Sequence, residues 1–348
     1  MNIDCIKPAS GPNVWFGSDL ENNRSWLTHL TSSEVKEVLT ALKFVKQLDV
    51  PLHKINKNVF RLPILGPRLK EIVDQVEYGR GFAVLRGIPV NAHEQEDAVK
   101  ISWGLCSYLG RGIPQSREGD YVNHIIDLTD IKATTNKDLA HVVSRDELRV
   151  SHHGGRRLWH TDTTDIVALL CLRKARSGGQ SWLASAKATH NVILSEHPEC
   201  LPALYEGYYY HRLADDQAAG TSSLSHEKVP VFSVRGADNL SCYYIPEPIQ
   251  RAIDREKVEY SEVATRARDL IEEIPHRPEM KLTMDLEPGD LQIIDNRSLL
   301  HARADYEDWP ELERRRHLLR LWLRVKQGRS TAAAQRVHSQ FERNAPPK

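Results

Sequence analysis

Between Asp120 and Val325 the chain is cut into short apolar runs by turn-forming residues, and this spacing restricts the fold more than any other feature. Eight runs read as strands: Val122–Ile126, Ile166–Leu172, Ser181–Ser185, Val229–Val234, Ser241–Ile245, Lys281–Leu286, Leu291–Ile294 and Arg316–Val325. Two helical patterns interrupt them, Ala186–Leu194 and roughly Val258–Ile274. A doubly wound chain would alternate strand and helix throughout, so the series points to a mainly β sandwich or barrel with flanking helices.

The first third is different. Residues 1–30 read as an irregular arm laid on the core. Thr31 and Glu34 form the two ends of a capping box, and Val35, Val38, Leu39, Leu42 and Val45 follow at helical spacing. Further helices are expected after Gly66-Pro67 and over about Glu94–Tyr108, with a buried strand between them at Gly81-Phe82-Ala83-Val84-Leu85-Arg86-Gly87. Asn136–Leu158 is polar and reads as a mobile loop over a site, and 327–348 as a frayed tail. The organisation expected is one domain over 1–326, with arm and helices in 1–79 and a β core in 80–326.

Lys+Arg and Asp+Glu are 47 each in 348 residues, and this balance disfavours a nucleic-acid partner. The five cysteines are scattered without a CxxC, which argues against a disulfide framework or a thiolate zinc site. No run approaches a membrane span and no leader pattern opens the chain, so a cytoplasmic protein acting on a small molecule is expected, with a homo-oligomer left open.

Trp159-His160-Thr161-Asp162 places an imidazole and a carboxylate two residues apart, on one side of an extended segment. Alone this is thin, because His197-Pro198-Glu199 has the same spacing and a hydrogen-bonded structural pair explains either. A further histidine, His301, follows the turn-strand-turn segment Glu287–Asn296. Two histidines and one carboxylate on one face of an ion leave open coordination positions, the arrangement of non-haem Fe(II) oxygenases. A structural zinc site needs a fourth protein ligand, and none is obvious.

The segment Arg316–Val325 alternates as a strand: Arg316, Leu318, Arg320, Trp322 and Arg324 on one face, His317, Leu319, Leu321, Leu323 and Val325 on the other. The cationic face is either a solvated edge or the lining of an anion-binding cavity, since a guanidinium fork suits a carboxylate.

With these residues in order, the chain resembles the taurine dioxygenase/TfdA-like family of Fe(II)- and 2-oxoglutarate-dependent dioxygenases over roughly residues 80–325. The resemblance is carried by Gly81–Gly87, Leu109-Gly110 to Gln115, Trp159–Asp162, Gly178-Gly179-Gln180-Ser181, Pro288-Gly289-Asp290, His301 and Arg316. It implies a double-stranded β-helix, or jelly roll, with His160, Asp162 and His301 as iron ligands. It also implies that Arg316, assisted by Ser181, binds the distal carboxylate of 2-oxoglutarate, although Tyr306–Glu313 resembles a small insertion and leaves Arg315 as the alternative. Fe(II), 2-oxoglutarate and O2 are the implied cofactors, and oxidation of a substrate C–H bond with release of succinate and CO2 the implied reaction. Arg320 is expected to dock a substrate carboxylate, with Trp322, Gln115, Asn123 and His124 shaping the pocket. The alternatives are a metal-dependent hydrolase on the same ligands, which leaves Arg316 and Ser181 without a task, and a catalytically silent jelly-roll binding module.

Overall fold

The computed structural model describes residues 5–90, 95–116, 119–131, 152–211, 223–235 and 239–325. The expected loop at Asn136–Leu158 falls mostly outside the described residues, as does the tail 327–348. The described chain runs α1 (Gly17–Glu21), β1 (Leu27–His29), α2 (Ser32–Leu48), α3 (Leu65–Tyr78), β2 (Phe82–Arg86), α4 (Gln95–Cys106), β3 (Arg111–Ile113), β4 (Val122–Ile125), β5 (Arg157–His160), β6 (Ile166–Arg173), β7 (Ser177–Gly178) and β8 (Ser181–Ser185). It continues through α5 (Ala186–Glu196), α6 (Leu201–Glu206), β9 (Phe232–Arg235), β10 (Asn239–Cys242), α7 (Pro246–Glu256), α8 (Glu262–His276), β11 (Lys281–Met284), β12 (Leu291–Asp295), β13 (Leu299–Arg303), β14 (Tyr306–Glu307) and β15 (His317–Arg324). Among the described residues, no helix is long and apolar enough to cross a membrane.

Two sheets carry the fold. The larger has the order β1-β2-β12-β6-β15-β3, with β4 also pairing β15, and the smaller is β11-β8-β13-β5. Successive strands change sheets: β5 lies in the smaller sheet, β6 in the larger, β8 and β11 in the smaller, β12 in the larger, β13 in the smaller and β15 in the larger. The three apolar clusters follow from this layering. Phe82, Val167, Ile294 and Leu318 of the larger sheet meet Leu183, Leu282 and Leu299 of the smaller one in an inter-sheet layer. On its outer face the larger sheet packs against α2, α3 and α4 through residues such as Val38, Leu69, Ile101, Leu319 and Leu321. The outer face of the smaller sheet is covered by α5, α6, α7 and α8.

Local chemistry explains the elements. Glu34 accepts the Thr31 N–H at 2.7 Å while its own N–H donates back to the Thr31 hydroxyl, and this start stabilises α2 by about 1 kcal/mol. The two glycine-bounded motifs prove to be one clamp: Arg86 at the end of β2 forks onto Asp290 at 2.8 and 2.6 Å, and Asp290 accepts the Glu287 N–H to close the Pro288-Gly289 turn.

Several expectations change. The arm contains α1 and β1, and β1 pairs in parallel with β2. Residues 241–245, expected as one strand, end their ladder at Cys242. Pro246 then starts α7 at a position where its missing N–H costs nothing. The helix expected over Val258–Ile274 begins at Glu262, capped by the Ser261 hydroxyl. The short strands β1, β3, β7 and β14 were not expected, nor were β5 and β13, and the last two carry metal-site residues.

Candidate active site

His160 closes β5, Asp162 lies two residues beyond, and His301 is the third residue of β13. Because β5 and β13 pair antiparallel with His301 opposite His160, the two imidazoles are neighbours with ring centroids 4.1 Å apart. One ligand atom from each of His160, Asp162 and His301 lies within 4.8 Å of the others, and all three residues are buried. The backbone that aims Asp162 is held by Asn296, in the turn between β12 and β13. Its side-chain carbonyl accepts the Asp162 N–H at 2.7 Å, and its amide donates to the carbonyls of Asp162 and Thr164. Asn296 was visible in the sequence only as a turn residue; its task depends on a partner 134 positions away.

The protonation states suit a divalent cation. Burial drives the His301 imidazole down to about 4, and His160 is driven well below its ordinary value by burial and the Arg157 guanidinium. Both rings are therefore neutral near pH 7. His160 Nδ1 lies 2.7 Å from the Leu158 carbonyl, which makes Nδ1 the protonated nitrogen and leaves the Nε2 lone pair for a metal. Burial pushes the Asp162 carboxyl up, but Arg320, a Trp322 hydrogen bond and Arg157 together hold it below its ordinary value, so it is ionised. Two neutral imidazoles and one carboxylate on a common focus form a hard, open-sided donor set that fits Fe(II).

Arg320 and Trp322 both reach this carboxylate from β15. Arg320 Nη1 lies 3.1 Å from each Asp162 oxygen, and the Trp322 indole N–H donates to Oδ2 at 3.0 Å. The expectation of an Arg320 guanidinium in need of a substrate anion therefore requires correction, because a protein carboxylate already faces it. Gln115 joins the same network. It accepts from Arg320 Nε at 2.9 Å and donates to the Arg320 and Tyr121 carbonyls, which ties β15 to the β3–β4 connection. Asn123 pairs with Arg320 across the β4–β15 ladder and so shares its face. His124 does not. It lies opposite Leu319, on the helix-covered face, where its Nδ1 is 2.9 Å from His317 Nε2 and it lines a surface cavity of about 310 Å³ with Leu52 and Val99. One-residue parity removes it from the metal layer.

The two candidate arginines separate cleanly. Arg315 forks onto Asp130 at 2.6 and 2.7 Å and also donates to the carbonyls of Asp127, Trp309 and Pro310, which makes it a structural tie. Arg316 is buried with its guanidinium bonded only to the Gly179 carbonyl at 3.4 Å, and among the described residues no carboxylate forms an ion pair with it. Burial and the neighbouring Arg303 bring it down to about 10. It remains a cation near pH 7, and an uncompensated buried cation is a strong site for an anion. Gly179 permits the approach: its φ is +77°, and a Cβ there would sit 3.1 Å from Arg316 Nε. Ser181, expected to assist the arginine, instead donates its hydroxyl to Gln292 at 3.0 Å.

This geometry agrees with the comparisons. The chain matches the model of the family described as "Taurine catabolism dioxygenase TauD, TfdA family" over residues 47–322. It is 29% identical over 335 residues to FR-33289 synthase of Streptomyces rubellomurinus, covering 95% of each chain. Among solved structures, it superposes on an asparagine oxygenase in complex with Fe(II), 2S,3S-3-hydroxyasparagine and succinate with a TM-score of 0.65 at 17% identity, covering 86% of this chain and 93% of that one. A non-heme iron oxygenase, OrfP, in complex with Fe and alpha-ketoglutaric acid gives a TM-score of 0.58 at 17% identity, covering 88% and 98%.

Proposed function

Since the chain belongs to the TauD/TfdA family of Fe(II)- and 2-oxoglutarate-dependent dioxygenases, we propose that it oxidises an unactivated C–H bond of a small, carboxylate-bearing, amino-acid-like molecule, with release of succinate and CO2. We read the two facing sheets as a double-stranded β-helix within a single domain over 1–326, a reading supported by the alternation of successive strands between sheets.

The observation that carries the functional reading is a buried arginine without a carboxylate partner among the described residues, four positions before Arg320, which reaches the buried two-histidine, one-carboxylate focus. Bound Fe(II) supplies O2 activation coupled to oxidative decarboxylation of 2-oxoglutarate. The protein supplies the rest. His160, Asp162 and His301 would hold the metal, with Asn296 fixing the backbone and Trp322 and Arg320 the carboxylate of Asp162. Arg316 would take the distal carboxylate of 2-oxoglutarate in a water-poor layer, where a charge-assisted fork is strongest. A metal hydrolase would have no use for Arg316, and a silent module would have no use for three ligands in register.

The amino-acid-like part of the reading draws on the asparagine oxygenase neighbour, in complex with 2S,3S-3-hydroxyasparagine. Arg157 and Arg320 both act on His160, His301 and Asp162, and each already faces a carboxylate, Arg157 that of Glu247 and Arg320 that of Asp162. Arg320, already engaged by Asp162 and Gln115, would orient the metal carboxylate, with Asn123 on the same face of the larger sheet. Hydroxylation, desaturation and oxidative ring closure all remain outcomes of such a site. The test is succinate release from 2-oxoglutarate, with Fe(II) and O2, across a panel of amino acids, sulfonates and other carboxylates, with product masses distinguishing an added oxygen from lost hydrogens. Stimulation by at least one anionic member supports the reading; a best substrate that is neutral overturns its anionic part, and no Fe(II)-dependent succinate under any condition overturns the whole.

A further inference from the structure

Arg316 is held by one long hydrogen bond, yet a guanidinium on a flexible stem must be fixed before it can bind a carboxylate at small entropic cost. The structure shows a second support. The two-residue ladder of β7 and β14 sets Tyr306 opposite Gly178, and the Arg316 guanidinium carbon lies 5.5 Å from the centroid of the Tyr306 ring. A Cβ on Gly179 would be 3.3 Å from Tyr306 Cβ as well as 3.1 Å from Arg316 Nε, so glycine backbone, ring and guanidinium converge on one spot. The same ring carries a second buried cation: the Arg303 guanidinium lies 4.7 Å from its centroid and donates to the carbonyls of His153 and Gly155, just before β5. Asp308, two residues beyond Tyr306, accepts the Arg316 backbone N–H at 2.8 Å.

We infer that Tyr306 is a positioning residue for the co-substrate: its ring face seats the Arg316 guanidinium against Gly179 and lets Arg303 be buried beside it. Two cations in a dry layer repel, and a shared negative ring face offsets part of that repulsion. The inference rests on the assignment of Arg316 to 2-oxoglutarate. What matters is the π face and not the phenol, since no hydrogen bond of the Tyr306 hydroxyl enters the argument.

The test is the 2-oxoglutarate Kd of the Fe(II)-loaded protein without O2, read from the visible charge-transfer band of the chelate, alongside kcat, the KM for substrate and the Fe(II) Kd. Tyr306→Leu should weaken 2-oxoglutarate binding by about tenfold, while Fe(II) binding and the substrate KM stay near wild type. Tyr306→Phe and Tyr306→Trp, which keep a ring face, should stay within about threefold. Should Tyr306→Leu fail to fold, Tyr306→Met offers a flexible side chain without a ring and must show the same loss. Wild-type 2-oxoglutarate affinity in the Leu or Met variant overturns the inference, and so does a Phe variant as weak as Leu. Arg316→Met separates the two levels: if it binds 2-oxoglutarate normally, the assignment of Arg316 falls, and if it fails while Tyr306→Leu is normal, only the ring loses its task.

Discussion

Replacement of Trp322 by phenylalanine removes one hydrogen bond from the metal carboxylate and trims one ring from the inter-sheet layer. The indole N–H donates to Asp162 Oδ2 at 3.0 Å, and both groups are buried. Phenylalanine keeps an aromatic face under Arg320, whose guanidinium carbon lies 5.0 Å from the Trp322 ring centroid. A hydrogen bond to a charged group contributes roughly 1.5–3 kcal/mol. Arg320 Nη1 still reaches the same oxygen at 3.1 Å, so the lower end applies. About 1.5 kcal/mol corresponds to roughly tenfold weaker Fe(II) binding, at the low edge of the range typical for groups that orient a metal ligand. The sign with pH follows. Burial raises the Asp162 carboxyl, and the indole is one of the groups holding it below its ordinary value. Loss of that donor moves the carboxyl upward, so the acid limb of Fe(II) binding should shift to higher pH. The assay is competition for Fe(II) against a chromogenic chelator under nitrogen, from pH 5 to 8, with 2-oxoglutarate binding measured in parallel. A Trp322→Phe protein with wild-type iron affinity and an unmoved acid limb would refute the claim that Trp322 tunes Asp162, and would return it to the pocket-shaping role expected from its strand face alone.

Other outcomes are expected from neighbouring features. Arg316→Met should raise the KM for 2-oxoglutarate by two or more orders of magnitude, since a desolvated pair broken on one side costs about 3–5 kcal/mol, whereas Arg315→Met should lower Tm through loss of the Asp130 fork and leave that KM unchanged; the opposite pattern would reverse the assignment. Gly179→Ala should weaken 2-oxoglutarate binding, because it meets both a φ of +77° and the Arg316 Nε, and unaltered binding would mean that β7 gives way freely. For the metal-free protein, the His301 imidazole falls from an ordinary 6.5 to about 4 on folding, so the unfolded chain binds the extra proton between those values. Stability should be fully present above pH 6.5 and decline as pH falls towards 4, and Tm values flat over that window would contradict the burial of His301.

The strand parity of β15 was legible because it is strict: Leu319, Leu321, Leu323 and Val325 do pack under the helices, and Leu318 and Trp322 do enter the inter-sheet layer. The capping box of α2 was legible because both partners are local. By contrast β13 gave no signal, since all five of its residues are buried between β5 and β8 and alternation disappears. The histidines and the carboxylate could be listed from spacing and resemblance, but not what surrounds them. Arg320 looked unpaired because its partner, Asp162, is 158 residues away, and His124 looked like a pocket residue because nothing local tells which side of β4 it leaves from.

The inter-sheet layer also bears on how the protein assembles. The residues that would hold iron belong to the smaller sheet and its outgoing loop, whereas Arg320 and Trp322 enter from β15 of the larger one and Arg316 immediately precedes that strand. Neither half alone can chelate the metal and also grip a dicarboxylate, so the ligands would act as a clasp across a seam, and every increment of their affinity would be an increment of resistance to the sheets parting. A chain whose halves begin to separate would keep His160, Asp162 and His301 together on one side and lose the arginine grip on the dicarboxylate from the other, so the co-substrate and not the metal would be released first.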